Sequence, residues 1–228
     1  MNEVQKELTA YLLQEGISDI GFSKPNPKSF GECPYAVTLV AKLSDAIIDE
    51  INGSPTHTYF HHYRTINTFL DQCALKTGFF LEKKGYRYIT VAASQSININ
   101  GWNYDGRYSH KEVACQAGLG TIGKNSLFLH YRYGSRVRLA TVFTNCPFEY
   151  SHENPKSICG TCHLCVDACP SGAILGKDWA SDKKREELFD AEKCSRYMKE
   201  KFKHIGRGAV CGVCIKVCPR YTKVLHNV

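Results

Sequence analysis

Cys159-Gly160-Thr161-Cys162-His163-Leu164-Cys165-Val166-Asp167-Ala168-Cys169-Pro170 is followed by a shortened echo, Cys211-Gly212-Val213-Cys214-Ile215-Lys216-Val217-Cys218-Pro219. The first run reads C-x2-C-x2-C-x3-C-P. In that spacing three thiolates take three corners of one [4Fe–4S] cube and the fourth crosses to a second cube. Applied here, the exchange gives one cluster on Cys159, Cys162, Cys165 and Cys218 and another on Cys169, Cys194, Cys211 and Cys214. The echo lacks its first cysteine, and Cys194 is the nearby replacement. Electron transfer is the first function these residues imply.

Two other uses of cysteine compete. Paired C-x2-C spacings bind zinc tetrahedrally, but a third cysteine three residues on and a repeated terminal Cys-Pro are not zinc habits. Disulfides need an oxidising compartment. The start, Met1-Asn2-Glu3-Val4-Gln5-Lys6-Glu7, has neither the basic opening nor the apolar core of a signal peptide. No run of about 18 apolar residues occurs anywhere. The expected location is cytoplasmic, where thiols stay reduced. Cys33, Cys73, Cys115 and Cys146 fall outside the pattern and read as small core residues.

The chain has 228 residues, 43% of them hydrophobic, enough for one or two cored domains. The cysteine runs occupy only its last third, so residues 1–150 must do something further. A formal charge of +7 ordinarily suggests an anionic partner. Eight thiolates around two cationic cluster cores offset much of it. The basic stretches Lys199 to His204 and Arg132 to Arg138 read as a solvated helix face and a strand edge.

Val4, Leu8, Tyr11 and Leu12 recur at helical spacing before Gly16, which predicts a helix over 2–15. Residues 17–23 and 35–43 read as strands. A long apolar periodicity over 58–84 predicts a helix, with a kink near Gly78 and an end at Gly85. A strand over 87–93 and a helix over 110–117 follow. Residues 127–133 and 136–143 read as two strands joined at Tyr133-Gly134-Ser135. A helix over 190–203 would carry Cys194 on its first turn. These elements predict an α+β chain of two domains, 1–150 and 151–228, with the boundary in the polar, proline-containing stretch 145–155.

Gly118-Leu119-Gly120-Thr121-Ile122-Gly123-Lys124-Asn125 fits G-x-G-x-x-G and nearly fits the phosphate-binding G-x-x-x-x-G-K-[ST]. Context opposes both. The dinucleotide fingerprint needs a preceding strand and a following helix, but here a helix precedes and a strand follows. The phosphate loop needs a hydroxyl where Asn125 stands. A tight turn with positive φ is the plain alternative. A third reading is close backbone approach to a bulky flat ligand.

Cysteine runs and glycine loop together resemble epoxyqueuosine reductase and, more distantly, the reductive dehalogenases. The match runs through Ala117 to Asn125, Tyr133-Gly134-Ser135, Cys159 to Ile174, Asp190 to Ser195, and Cys211 to Pro219. The resemblance implies a nitroreductase-like mixed α/β cobalamin-binding domain followed by a bacterial-type double-[4Fe–4S] ferredoxin-like domain. It implies that Gly118, Leu119, Gly120, Thr121, Ile122, Gly123, Lys124, Asn125, Gly134 and Ser135 face the cobalamin. It implies no histidine ligand to cobalt, leaving His57, His61, His62, His110 and His130 as surface or core residues, with His61 and His62 candidates for lining a pocket. The family's proton donor is an aspartate or tyrosine some fourteen residues before the loop, which points to Tyr104 or Asp105; a surface turn is the competing reading of both.

The expected function is therefore a cobalamin-dependent iron–sulfur oxidoreductase. Two clusters, fed by an external donor such as ferredoxin or flavodoxin, would serve a corrinoid that reduces a small or medium-sized substrate. Alternatives are a noncatalytic protein that handles cobalamin or relays electrons, and a reduced-size epoxyqueuosine reductase. The tRNA-modifying members carry a C-terminal helical-repeat domain, whereas this sequence stops at Val228, so the expected substrate is not tRNA. A flavin is the alternative cofactor, because nitroreductase-like folds commonly bind one.

Overall fold

The computed structural model describes residues 1–25, 30–97, 104–150, 155–206 and 210–220. Gly101, Trp102 and Asn103 of the expected turn lie outside them. The described chain is mixed α/β: α1 (Glu3–Gln14), β1 (Asp19–Ser23), β2 (Tyr35–Lys42), α2 (Asp45–Asp49), α3 (His57–Lys83), β3 (Tyr88–Val91), α4 (His110–Gln116), β4 (Gly120–Ile122), β5 (Phe128–His130), β6 (Val137–Thr144), α5 (Leu164–Asp167), α6 (Ala191–Lys201) and α7 (Val213–Lys216). A 3-10 turn at Arg185–Glu187 precedes α6.

Two compact units result. The first comprises Met1–Leu43, His61–Leu119 and Arg138–Pro155; the second comprises Ser44–Phe60, Gly120–Val137 and Lys156–Val228. This grouping differs from a single cut at 150. Segments 44–60 and 120–137 find their packing partners among the cysteine-bearing residues, which local composition does not record.

In the first unit a four-stranded sheet has the order β1-β2-β6-β3. The β1–β2 and β3–β6 pairs are antiparallel, with Gly21 opposite Thr38 and Thr90 opposite Val142. Central β2 and β6 are buried along nearly their whole length, as their Ala, Val and Leu content requires. Leu8 and Leu12 of α1, Leu39 of β2, and Leu70 and Leu81 of α3 are fully buried in one apolar cluster. Each such side chain contributes about 1.5–3 kcal/mol, so this cluster is the main stabilising term of the unit.

Helix α1 starts in a capping box: Gln5 N–H donates to Asn2 Oδ1 and Asn2 N–H to Gln5 Oε1, both at 3.0 Å. Buried Gln5 also exchanges bonds with the backbone of Glu149, which fastens α1 to the chain beyond β6. Helix α3 runs uninterrupted through Gly78. The missing side chain there admits the Tyr88 ring, since a β-carbon would collide with it; Gly78 is a packing site where a kink was expected. Cys73 and Cys146 belong to the main cluster, Cys33 to a neighbouring one, and Cys115 is buried on α4. Burial pushes the Cys115 thiol up to about 12 and that of Cys146 to about 11, as inert core thiols require.

His110 opens α4. Its Nδ1 lies 2.8 Å from Thr141 Oγ1 and its Nε2 2.9 Å from the Ala92 carbonyl. Burial holds its pKa below the ordinary 6.5, assisted by Arg138 and opposed by the Ala92 bond and Asp71. A depressed folded-state value means the unfolded chain takes the proton first. The stabilising contribution is complete above about pH 6.5 and is lost as pH falls from there through the folded value. Thermal unfolding between pH 7.5 and 5 is expected to show this loss, and His110→Gln to remove that part of the pH dependence.

Candidate iron–sulfur centre

In the second unit β4 and β5 form an antiparallel hairpin, with Gly120 opposite His130 and Ile122 opposite Phe128. Strand β5 was expected to be joined to β6 at Tyr133-Gly134-Ser135; its pairing partner is part of the glycine loop, and the bridge His130 to Gly134 turns the chain towards β6. The hairpin closes through Gly123 N–H to the Leu127 carbonyl and Ser126 N–H to the Gly123 carbonyl, with Ser126 at φ 56°. Asn125 Oδ1 accepts from Leu127 N–H and steadies the turn.

Each glycine of the loop has local work. Gly118, at φ 72°, ends α4: its N–H reaches the Cys115 carbonyl and Leu119 N–H the Ala114 carbonyl, the paired bonds of a Schellman cap. A β-carbon on Gly120 would strike the Leu129 carbonyl across the hairpin, and one on Gly123 the Leu129 side chain. The plain turn-and-packing reading therefore accounts for the pattern. Thr121 and Ile122 are buried, as are Lys124, Asn125 and Ser135.

Cys159, Cys162, Cys165 and Cys218 line one cavity together with Asn125, Leu129, Pro219 and Arg220. Cys165 and Cys218 are buried; Cys159 and Cys162 are partly exposed. The hairpin tip adjoins this cavity: Lys124 N–H donates to Cys159 Sγ at 3.5 Å, and its Nζ to the Gly160 carbonyl at 2.6 Å. Burial, then the neighbouring thiols of Cys159, Cys218 and Cys162, pushes Cys165 up to about 11.

The other four cysteines also converge. Ile174 bridges Phe189, and Asp190 N–H bonds the Ala173 carbonyl, bringing the end of the first run to the start of α6. Asp190 caps that helix by accepting from Lys193 N–H at 2.8 Å, so Cys194 sits on its first turn. Gly212, at φ 80°, opens α7, and a β-carbon there would collide with Tyr59 and Ile51. Burial, then Cys211 and Cys169, pushes Cys194 up to about 12. Cys214 rises well above its ordinary value through burial, with Cys211, Cys194, Cys169 and Cys165 adding to it. Cys169 differs: burial raises its thiol, but Ser171 and the backbone N–H groups of Ala173, Ser171 and Ile174 outweigh it and hold the value low.

Four thiols surrounding a cavity suit a group larger than one ion. Thiols raised by burial and mutual repulsion need a cationic core to ionise them, which an iron–sulfur cube supplies. The residues fit the group.

Support around the cavity comes from charge as well. Arg136, 1% exposed, donates from Nη1 to Asp45 Oδ1 and from Nη2 to Asp49 Oδ1, both at 2.9 Å. Lys216 Nζ reaches Asp49 Oδ1 at the same distance, so α2, Arg136 and α7 share one network. Ser135 Oγ donates to the Ile215 carbonyl at 3.3 Å. In the first unit, Arg138 Nε donates to Asn67 Oδ1 and the guanidinium lies over Tyr63. Arg136 is thus internal and Arg138 half-buried, where a plain strand edge was expected. Lys124, Arg136 and Lys216 take part in this centre in ways that spacing could not reveal.

Tyr104 and Asp105 lie in the first unit, beside the antiparallel bridge from Ile97 N–H to the Asp105 carbonyl at 2.8 Å. Tyr104 has φ 59°, a costly conformation for a residue with a β-carbon. His61 is exposed and His62 half-buried on α3, His57 is exposed at its start, and His130 is buried with Nδ1 accepting from Arg132 and Tyr133 N–H.

Residues 158–220 match the 4Fe–4S double cluster binding domain, so the chain carries a module for two [4Fe–4S] clusters. The chain as a whole is similar to two groups of enzymes. An epoxyqueuosine reductase of Cyclobacterium marinum is 37% identical over 125 residues, 50% of this chain and 37% of that protein. A tetrachloroethene reductive dehalogenase of Desulfitobacterium hafniense is 28% identical over 230 residues, 93% of this chain and 38% of that protein. A solved reductive dehalogenase, described as suggesting a mechanism for B12-dependent dehalogenation, superposes with a TM-score of 0.72 at 19% identity, covering 96% of this chain and 32% of that one. The matched stretch spans well under half of the two curated relatives. Among the described residues no helix is long and apolar enough to cross a membrane.

Gly120→Ala separates packing from ligand contact. The expected outcome is a loss of about 1–3 kcal/mol of stability from the forced opening of the hairpin, read as a lower unfolding midpoint with no ligand added.

Proposed function

We propose that this chain is an iron–sulfur oxidoreductase in which two [4Fe–4S] clusters pass electrons to a corrinoid that reduces a small or medium-sized substrate. The double-cluster match over residues 158–220 carries the electron-transfer half of the reading. Cys159, Cys162, Cys165 and Cys218 would hold one cluster, because they line one cavity. Cys169, Cys194, Cys211 and Cys214 would hold the other, because their thiols perturb one another. Cys165 is also near enough to perturb Cys214, which favours transfer between the two. When bound, the clusters supply one-electron transfer at potentials set by burial and hydrogen bonding.

The corrinoid half rests on the likeness to reductive dehalogenases across 93% of the chain, one solved member of which is described in terms of B12-dependent dehalogenation. A bound corrinoid would supply low-valent cobalt, a strong nucleophile or reductant. The glycine loop lends it no separate support, since capping and hairpin packing already employ Gly118, Gly120 and Gly123. Tyr104 or Asp105 would give a proton to the reduced substrate; the strained backbone at Tyr104 supports a functional constraint there. An external donor such as ferredoxin or flavodoxin would supply the electrons. The local employment of the loop favours a second reading, an electron relay without a corrinoid of its own.

Cys194→Ser tests the cluster assignment. Anaerobically reconstituted wild type is expected to hold about eight irons and the variant about four, with one of two reduced-cluster EPR signals lost. Equal iron and unchanged signals would reject the assignment. For the corrinoid, the reconstituted protein is to be titrated with cobalamin and freed of excess by gel filtration. Retention of about one corrinoid per chain is expected; none retained at saturation leaves the relay reading.

A further inference from the structure

The side chain at the tip of the β4–β5 hairpin points inward. Lys124 is only 4% exposed, and its Nζ lies 2.6 Å from the Gly160 carbonyl, 3.4 Å from the Cys162 carbonyl and 3.9 Å from Asp178 Oδ2. Its backbone N–H meets Cys159 Sγ at 3.5 Å. One residue therefore grips the Cys159–Cys162 loop twice, by a neutral donor on the sulfur and by a desolvated ammonium on the peptides between two cysteines. Asp178 is 48% exposed, so water screens the opposing charge much more than it screens Lys124.

The second set of cysteines is served differently. Cys169 Sγ lies 3.4 Å from Ser171 Oγ, and backbone N–H groups from Ser171, Ala173 and Ile174 complete its surroundings. Those donors are neutral, and the ammonium nearest that turn, Lys193 Nζ at 3.2 Å from the Gly172 carbonyl, belongs to an exposed side chain that water screens. A nearby cation matters to a cluster because reduction adds one negative charge, and a fixed positive charge in a poorly solvated site stabilises the reduced form more than the oxidised form.

We propose that Lys124 is a positioning residue that raises the reduction potential of the cluster held by Cys159, Cys162, Cys165 and Cys218. The inference rests on the cluster assignment made above. Asp178 partly offsets the ammonium, so the two side chains act on that potential with opposite signs.

The test is an EPR-monitored redox titration of the anaerobically reconstituted full chain, with dithionite as reductant, on wild type, Lys124→Met and Asp178→Asn. Asn keeps an oxygen for the Ser157 hydroxyl that Asp178 now accepts at 2.8 Å. In Lys124→Met the equilibrium constant for reducing the first cluster is expected to fall at least about tenfold, a shift of about 59 mV to more negative potential for one electron. The second cluster should stay unchanged. In Asp178→Asn the first cluster should move the other way, by less. Where Lys124→Met assembles both clusters, an unmoved first potential overturns the proposal. Where it does not assemble them, the milder Lys124→Gln, titrated in the same way, decides: a negative shift of the first cluster alone supports the role, and no shift overturns it. Iron content and the Cys159→Ser spectrum keep the premise separate. If that substitution removes neither cluster signal, the assignment fails, and the failure is not that of Lys124.

Discussion

Everything in the second unit answers to one constraint: thiols that repel one another when ionised must be gathered into small, poorly solvated volumes. Burial, with neighbouring thiols adding to it, pushes Cys194 to about 12 and Cys165 to about 11. Such sites are stable with their charge only when a cation shares them. The surrounding framework has to hold the thiols in place against that repulsion. The β4–β5 hairpin, α2 and the short helices α5 and α7 provide it through the Arg136–Asp45–Asp49–Lys216 network and the Ser135 bond to Ile215.

The first unit meets a different demand. Its sheet is covered by α1 and α3 through an apolar cluster of fully buried leucines, and its four non-pattern cysteines are buried, with Arg87, Lys76 and Lys111 lowering Cys33, Cys73 and Cys115 less than burial raises them. Burial raises every one of these thiols. Twelve cysteines thus fall into two populations. One set is buried in the core of the first unit; the other gathers in the second, where backbone donors and neighbouring thiols surround it.

What the sequence made legible was what depends on short-range order. The C-x2-C spacings, the periodicity of α1, α3, α4 and α6, and the alternation-free runs of β2 and β6 all lie within single elements. Pairing was not legible: β5 joins the three-residue β4, and nothing local distinguishes that partner from β6. Five-residue α2 is too short to show a period. The glycine loop carries two readings for a related reason. Its spacing suits a ligand-binding turn, while a helix cap at Gly118 and the close passage of Leu129 past Gly120 impose the same residues. The burial of Lys124 and Arg136 is a tertiary fact, set by partners more than thirty positions away.

The cavity of Cys159, Cys162 and Cys165 is closed by Cys218. During synthesis, three of its walls emerge long before the fourth. The hairpin that positions Cys159 is made earlier still, and α7, which bears Cys214 and leads to Cys218, comes last. A cofactor delivered to the nascent chain would find an open-sided cradle, so a cluster held by these four cysteines would gain its full ligand set only after residue 218 had been made. Chain order would thereby set the order of maturation: scaffold, then thiols, then cluster.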